Sequence, residues 1–230
     1  MAAFFQSVKD LLIEFWPLLV ESTGQTLYMV LASTVIAYVV GIPLGILVVI
    51  TAPDSICPNK PIHQVLGWII NIGRSIPFII LLVALLPFTR SIVGTSIGAT
   101  ATIVPLTVSA IPFVARMIEQ SLLELEGGLV EMAQAMGSTA WQVITKVLLP
   151  ESLPSIVRGV SITVISLIGY SAMAGAVGGG GLGDLAIRYG YYRYQSDVMI
   201  LTIILLVVIV QLLQMAGDMV SKKIDKRNIR

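Results

Sequence analysis

EMAQAMGSTAWQVITKVLLP, residues 131–150, is the one polar, glycine-punctuated stretch in a chain that otherwise reads as membrane. Leu129, Met132, Ala133 and Met136 recur at i, i+3, i+4 and i+7, the spacing of one helical face. Gly137 follows, where a helix C-terminus favours a left-handed residue. Thr139 is placed to cap a second short helix, and Gln142, three residues on, completes a capping box. Lys146 falls in the last turn, where a cation suits the helix dipole. Pro150 and Pro154 are expected to end that helix. The reading is two short amphipathic helices joined at a glycine, a pattern that serves equally for an ordinary water-facing loop and for a docking element.

Outward from this stretch, composition decides the class. The chain has 230 residues, 56% of them hydrophobic and 12% charged. A soluble domain carries about 25% charged residues. Half that number leaves too few charges to cover a water-facing surface, so the chain is expected to be an all-α integral membrane protein. Cys57 alone permits no intrachain disulfide, and one cysteine with one histidine, His63, makes no metal cluster. His63 lies in a polar loop and reads as a solvated residue rather than a ligand. Lys9, Asp10 and Glu14 interrupt the first apolar stretch, which argues against a cleaved signal peptide.

Residues 1–22 are expected to form an N-terminal interfacial helix anchored by Trp16. Residues 23–218 follow as a membrane domain with five spans, at 24–50, 65–88, 97–118, 155–177 and 198–217. In the first span Gly41 and Gly45 either admit a neighbouring helix or only relieve Pro43. Arg74 belongs at an interface or against protein, and Pro77 is expected to kink the second span. Pro105 and Pro112 predict two breaks in the third, with Thr100, Thr102, Thr107 and Ser109 available for the freed carbonyls. The loop at about 119–154 separates spans three and four, and residues 219–230 form a basic tail.

On the fourth span Thr163, Ser166, Tyr170 and Met173 share one helical face. A polar and thioether stripe on a lipid-buried helix faces protein or a translocation path, unless the hydroxyls simply bond back to their own helix. Gly178 to Gly183, GGGGLG, fits G-x-G-x-x-G only formally. No strand precedes it, and position 203, about where an acid should stand, is Ile203. It reads as a flexible turn leading to a tyrosine-rich segment at Tyr189, Tyr191, Tyr192 and Tyr194.

Charge sets the orientation. With the tail inside, the inner Lys and Arg residues are Lys60, Arg74, Arg116, Lys146, Arg158 and five of the tail, ten in all, against Lys9, Arg90, Arg188 and Arg193 outside, four in all. The count predicts the N-terminus outside and the C-terminus and the 131–150 loop in the cytoplasm.

That loop resembles the EAA loop of the permease subunits of bacterial ABC importers, with Glu131, Ala133, Gly137, Val147, Leu149 and Pro150 standing in the pattern. Met132 and Val147 are mild departures. The runs at 71–83, 103–117 and 167–191 narrow the resemblance to the permease of the bacterial methionine importer, over about residues 42–218. The resemblance implies a type I importer permease in the bacterial inner membrane, working as a homodimer. Its loop would be a coupling helix docking two ATPase subunits, with a methionine-binding lipoprotein outside and methionine, its D-isomer and derivatives as substrates. ATP and Mg would be bound by the partner ATPase and no cofactor by this chain. No G-x-x-x-x-G-K-[ST] motif is present, so ATP hydrolysis is not expected here. Nucleic acid is not an expected partner. A permease for another small solute, an ATP-independent channel and, most remotely, an intramembrane enzyme are the alternatives. The enzyme lacks a nucleophile–base pair, and the channel needs no docking loop.

Overall fold

The computed structural model of the protein describes residues 2–125 and 127–224, with side chains from residue 15 onward. Among these the regular elements are all helical: α1 (Ala2–Ile50), α2 (Lys60–Ser75), α3 (Phe78–Ala84), α4 (Leu86–Val93), α5 (Ala99–Leu123), α6 (Gly127–Ala135), α7 (Ala140–Val143), α8 (Leu149–Ala174), α9 (Gly181–Leu185) and α10 (Ser196–Ile224). Four of these stretches are long and apolar enough to cross a membrane: α1, α5, α7 continued by α8, and α10. The broken pair α2 and α3 makes a fifth if counted as one span. The side chains of Lys9, Asp10 and Glu14, and tail residues Lys226, Arg227 and Arg230, lie outside the described residues.

Several expected boundaries move. No helix break separates an N-terminal segment from the first span, because α1 runs unbroken from Ala2 to Ile50. A lone glycine such as Gly24 costs a helix only about 1 kcal/mol, too little to interrupt an apolar run. Pro77 does more than kink its span. Ile76 is extended at φ −81°, ψ 122°, as the residue before a proline prefers, so α2 stops and α3 starts anew. Pro105 and Pro112, in contrast, leave α5 continuous through Leu123, since neighbouring ladder bonds survive the loss of single donors.

By contacts the chain divides into two compact units. The first comprises Met1–Thr34, Pro77–Thr107 and Val164–Leu213. Met29, Leu106, Leu167, Leu182 and Val198 are fully buried in it. The Gly178–Gly183 segment, read from sequence as a flexible turn, is instead a close-packed one. Gly178, Gly180 and Gly181 all have positive φ. A Cβ on Gly181 would fall 2.6 Å from Met29 Cε and Thr26 Oγ1, and one on Gly183 would fall 2.5 Å from the Ala172 backbone. The Gly181 N–H donates to Gln25 Oε1 at 2.8 Å, the Leu182 N–H donates to Thr26 Oγ1 at 2.9 Å, and Thr102 Oγ1 donates to the Gly179 carbonyl at 3.1 Å. The glycines therefore let α9 lie against its neighbours rather than move. Burial raises the Asp184 carboxyl in α9 above its ordinary range, and the adjacent Arg188 draws it back.

The second unit comprises Val35–Ile76, Val108–Thr163 and Gln214–Arg230. Gly41 and Gly45 admit α5: a Cβ on either would overlap Val114, Ala115 or Ile118 within 2.8 Å. Close approach is thus their role, and Val48, Ile70 and Ala115 form a buried cluster with Leu44 and Leu66 against it.

Candidate functional site

The 127–148 segment folds as two short helices with a hydrogen-bonded joint. At the end of α6 the Gly137 N–H donates to the Gln134 carbonyl at 2.9 Å and the Ser138 N–H to the Ala133 carbonyl at 3.1 Å. This is the Schellman pairing, and it places Gly137 in the left-handed region at φ +80°. Thr139 then caps α7: its Oγ1 accepts from Gln142 N at 3.4 Å, and Gln142 Oε1 accepts from Thr139 N at 2.9 Å. Every joint residue from Gly137 to Thr139 thus has its N–H engaged locally. The glycine turn and the capping box read from the sequence are both present.

Burial divides this element into a supporting face and a free one. Ala133, Val143, Ile144 and Leu148 are buried, and Val147 and Leu149 are half-buried. Glu131 and Pro150 are exposed. Met132 (58%), Met136 (78%) and Trp141 (72%) stand out from the surface. The apolar face read from Leu129, Met132, Ala133 and Met136 is therefore split, with Ala133 turned inward and both methionines outward. Trp141 was not among the expected site residues. Its sequence spacing gave no such signal, because Trp141, Ile144 and Leu148 stand at i, i+3 and i+7, the spacing of one regular helical face. Large exposed apolar side chains grouped on a rigid polar element mark an interaction surface, and methionine suits a contact that must adapt to its partner.

Pro150 and Pro154 do not end the second helix. Residues Ile144–Leu148 form a π-turn, in which the Leu149 N–H donates to the Ile144 carbonyl, and α8 continues directly from it. A proline crowds the carbonyl four residues back, and the widened turn relieves that crowding just before Pro150. Ser152 Oγ donates to the Leu148 carbonyl at 2.7 Å, reinforcing the same turn. At the base of the loop Ser155 Oγ donates to Glu124 Oε2 at 3.0 Å, tying the start of α8 to the end of α5.

The stripe on α8 is not uniform. Thr163 is 1% exposed; its hydroxyl donates to the Gly159 carbonyl at 2.8 Å and meets the Tyr38 hydroxyl at 3.3 Å. It is a packing residue within this chain. Ser166 is half-buried. Tyr170 stacks on Phe78 with ring centroids 4.7 Å apart, nearly parallel at 6°. Met173 is half exposed at 50%, and nothing stands within 4 Å of where a Gly169 Cβ would be. The more open part of the stripe is thus Met173 with the half-buried Tyr170 beside it.

Glu119 falls within α5, which extends past residue 118 to Leu123. Glu119 is 8% exposed and accepts from Arg116 Nη1 at 2.7 Å, while Arg116 Nη2 donates to Asn71 Oδ1 at 2.6 Å. A paired charge of this kind is the arrangement a buried acid requires. His63 is half-buried, its Nδ1 2.9 Å from the Val48 carbonyl. Among the described residues no group of His, Cys, Asp and Glu could hold a metal ion.

The family described as "Binding-protein-dependent transport system inner membrane component" matches residues 41–229. The "Probable D-methionine transport system permease protein MetI" of Vibrio cholerae is 53% identical over 210 residues, covering 91% of this chain and 93% of that protein. The "D-methionine transport system permease protein MetI" of Escherichia coli K12 is 53% identical over 158 residues, 69% of this chain and 73% of the relative. Among solved structures, a chain of "Inward facing conformations of the MetNI methionine ABC transporter" superposes with a TM-score of 0.91 at 50% identity, covering 93% of this chain and 99% of that one. A chain of "Crystal structure of an amino acid ABC transporter with histidines" shares the fold at a TM-score of 0.77 and 19% identity. With a helical membrane fold, a rigid loop bearing an exposed apolar face and a family match over most of its length, the chain belongs to the inner membrane components of binding-protein-dependent transport systems.

Proposed function

We propose that this chain is the permease subunit of an ATP-driven methionine importer, taking the L- and D-isomers and close derivatives. The observation that carries the reading is the joint at Gly137: a fixed turn presenting Glu131, Met132, Met136 and Trp141 to a partner. The partner is a pair of ATPase subunits, which bind ATP and Mg and hydrolyse the nucleotide. Two copies of this chain enclose the path, because the few spans of one chain surround little. Ten Lys and Arg residues against four support a cytoplasmic C-terminus and loop, with the N-terminus outside beside a methionine-binding lipoprotein.

The mechanism is mechanical. Closure of the ATPases on nucleotide moves the docked loops. The joint is locally hydrogen-bonded and α7 runs through the π-turn into α8, so displacement of the loop is transmitted along one helix rather than absorbed at a hinge. Tyr170 and Met173, on the open part of the stripe, face the moving substrate; a thioether beside an aromatic ring is a favourable surface for methionine.

The test is reconstitution of the complex of this chain with its ATPase and binding protein in liposomes, with uptake and ATP hydrolysis measured across a panel of amino acids. Methionine uptake dependent on ATP is the expected result. Failure of an ATPase to co-purify, or uptake of another amino acid in preference to methionine, overturns the proposal.

A further inference from the structure

In the first unit, α1 and α10 present two apolar seams that face one another without closing. Leu19 and Val20 on α1 and Leu201, Leu205 and Val208 on α10 line a groove of about 310 Å³. The spacing on both helices is that of seams which interdigitate in an ordinary helix pair. Here a cavity remains. Thr23 is the one hydroxyl on the lining, and it is already committed, donating to the Leu19 carbonyl at 2.7 Å. Apart from the Trp16 indole N–H, the groove therefore offers no free polar group to water. A dry apolar void within protein is costly, but one open to the bilayer can be filled by hydrocarbon.

Around Trp16 the chemistry is different. Trp16, 60% exposed, stands there on α1. Its neighbour Phe15 packs edge-on against Tyr189, with ring centroids 5.7 Å apart. The guanidinium of Arg193 lies over the other part of that contact, 4.4 Å from the Tyr189 centroid. Arg188 is paired with Asp184. Arg193 is exposed and, among the described residues, is in neither of the two ion pairs, Arg116–Glu119 and Arg188–Asp184. A tryptophan thus lies on the groove's lining, and beyond the ring contact of its neighbour Phe15 a guanidinium is held just ahead of α10, outside both of those ion pairs. Arginine is the side chain best matched to a phosphate diester.

We infer that this groove is the site of one anionic phospholipid, with an acyl chain between α1 and α10 and its phosphate at Arg193. The bilayer supplies the ligand, and the net negative charge of the headgroup distinguishes it from zwitterionic lipid. The inference is independent of what the protein transports.

The experiment uses the purified full chain in detergent, with native mass spectrometry during titration by phosphatidylglycerol or phosphatidylcholine. The parent is expected to retain one phosphatidylglycerol per chain about fivefold more tightly than phosphatidylcholine, the factor one cation contributes near anionic lipid. Arg193→Gln should erase that preference while still retaining lipid, and Leu205→Trp, which fills the groove, should abolish retention of both. Thermal unfolding of each variant, and the milder Val208→Phe, separate loss of the site from loss of the fold. Equal retention of the two lipids by the parent, or undiminished retention by folded Leu205→Trp and Val208→Phe, overturns the proposal. So does disulfide cross-linking between copies of a Leu201→Cys variant in membranes, which would make the occupant a second copy of the chain.

Discussion

Substitution of Gly137 separates backbone strain from steric collision, because the two have different sources at this position. Its φ is +80°, yet a Cβ built there meets nothing within 4 Å. Any cost of replacement is therefore the cost of the left-handed conformation. That cost is about 1–3 kcal/mol for a β-branched residue and about 1–2 kcal/mol for alanine. Asparagine visits this region several-fold more readily than other residues, so its cost is lowest although its side chain is larger than alanine's. The expected order of harm is Asn, then Ala, then Val. At 1.4 kcal/mol per tenfold, 1–3 kcal/mol lowers the population of the native turn by up to roughly 150-fold in valine. Only the native turn docks, so apparent affinity for the ATPase falls by up to the same factor. The spans should insert normally, since their insertion rests on apolar residues elsewhere. The assay is a pull-down of the ATPase over a concentration series, run beside uptake in proteoliposomes. If Gly137→Val binds and transports like the parent, or Gly137→Asn is more damaging than Gly137→Val, the turn is not what positions the docking face.

Three further outcomes are expected. In a Cys57→Ala background, cysteine at position 223 should be labelled only from the cytoplasm and cysteine at 188 only from outside; labelling of 223 in intact cells reverses the topology. Tyr170→Ala and Met173→Ala should reduce uptake while leaving expression and ATPase association unchanged, and normal uptake by both would make the open part of the stripe a lipid or packing face. Gly183→Ala, whose methyl would fall 2.5 Å from the Ala172 backbone, should destabilise the protein by about 1–3 kcal/mol, seen as a lower Tm in detergent, whereas a flexible turn would accept it without change.

What the sequence revealed and concealed divides along locality. Gly137, Thr139 and Gln142 act on residues within five positions of themselves, so their geometry was readable from spacing alone. The same holds for Pro77, whose ring restricts the very next residue back. The role of Gly181 and Gly183 depends on Met29, Thr26 and Ala172, two of them more than 150 positions away, and nothing in GGGGLG names those neighbours. Thr163 fell on the right helical face but is consumed by Tyr38 and its own helix. Pro150 and Pro154 misled because a π-turn has no sequence pattern: it is an extra residue absorbed by the backbone. Trp141 was hidden for the same reason: it stands at i, i+3 and i+7 with Ile144 and Leu148, one face of a regular helix, and the π-turn breaks that register.

The π-turn at Ile144–Leu148 also sets an azimuth. An α-helix advances about 100° per residue, and a π-turn holds one residue more than the α-turn it replaces. The bearing of Trp141 around the helix axis, measured from Ser155 and its bond to Glu124, is therefore fixed by that one residue. Rewinding the same five residues as a regular α-helix would keep every side chain and rotate Trp141 by about 100° away from its present heading. Such a chain would still carry a folded loop with the right surface chemistry, aimed in the wrong direction.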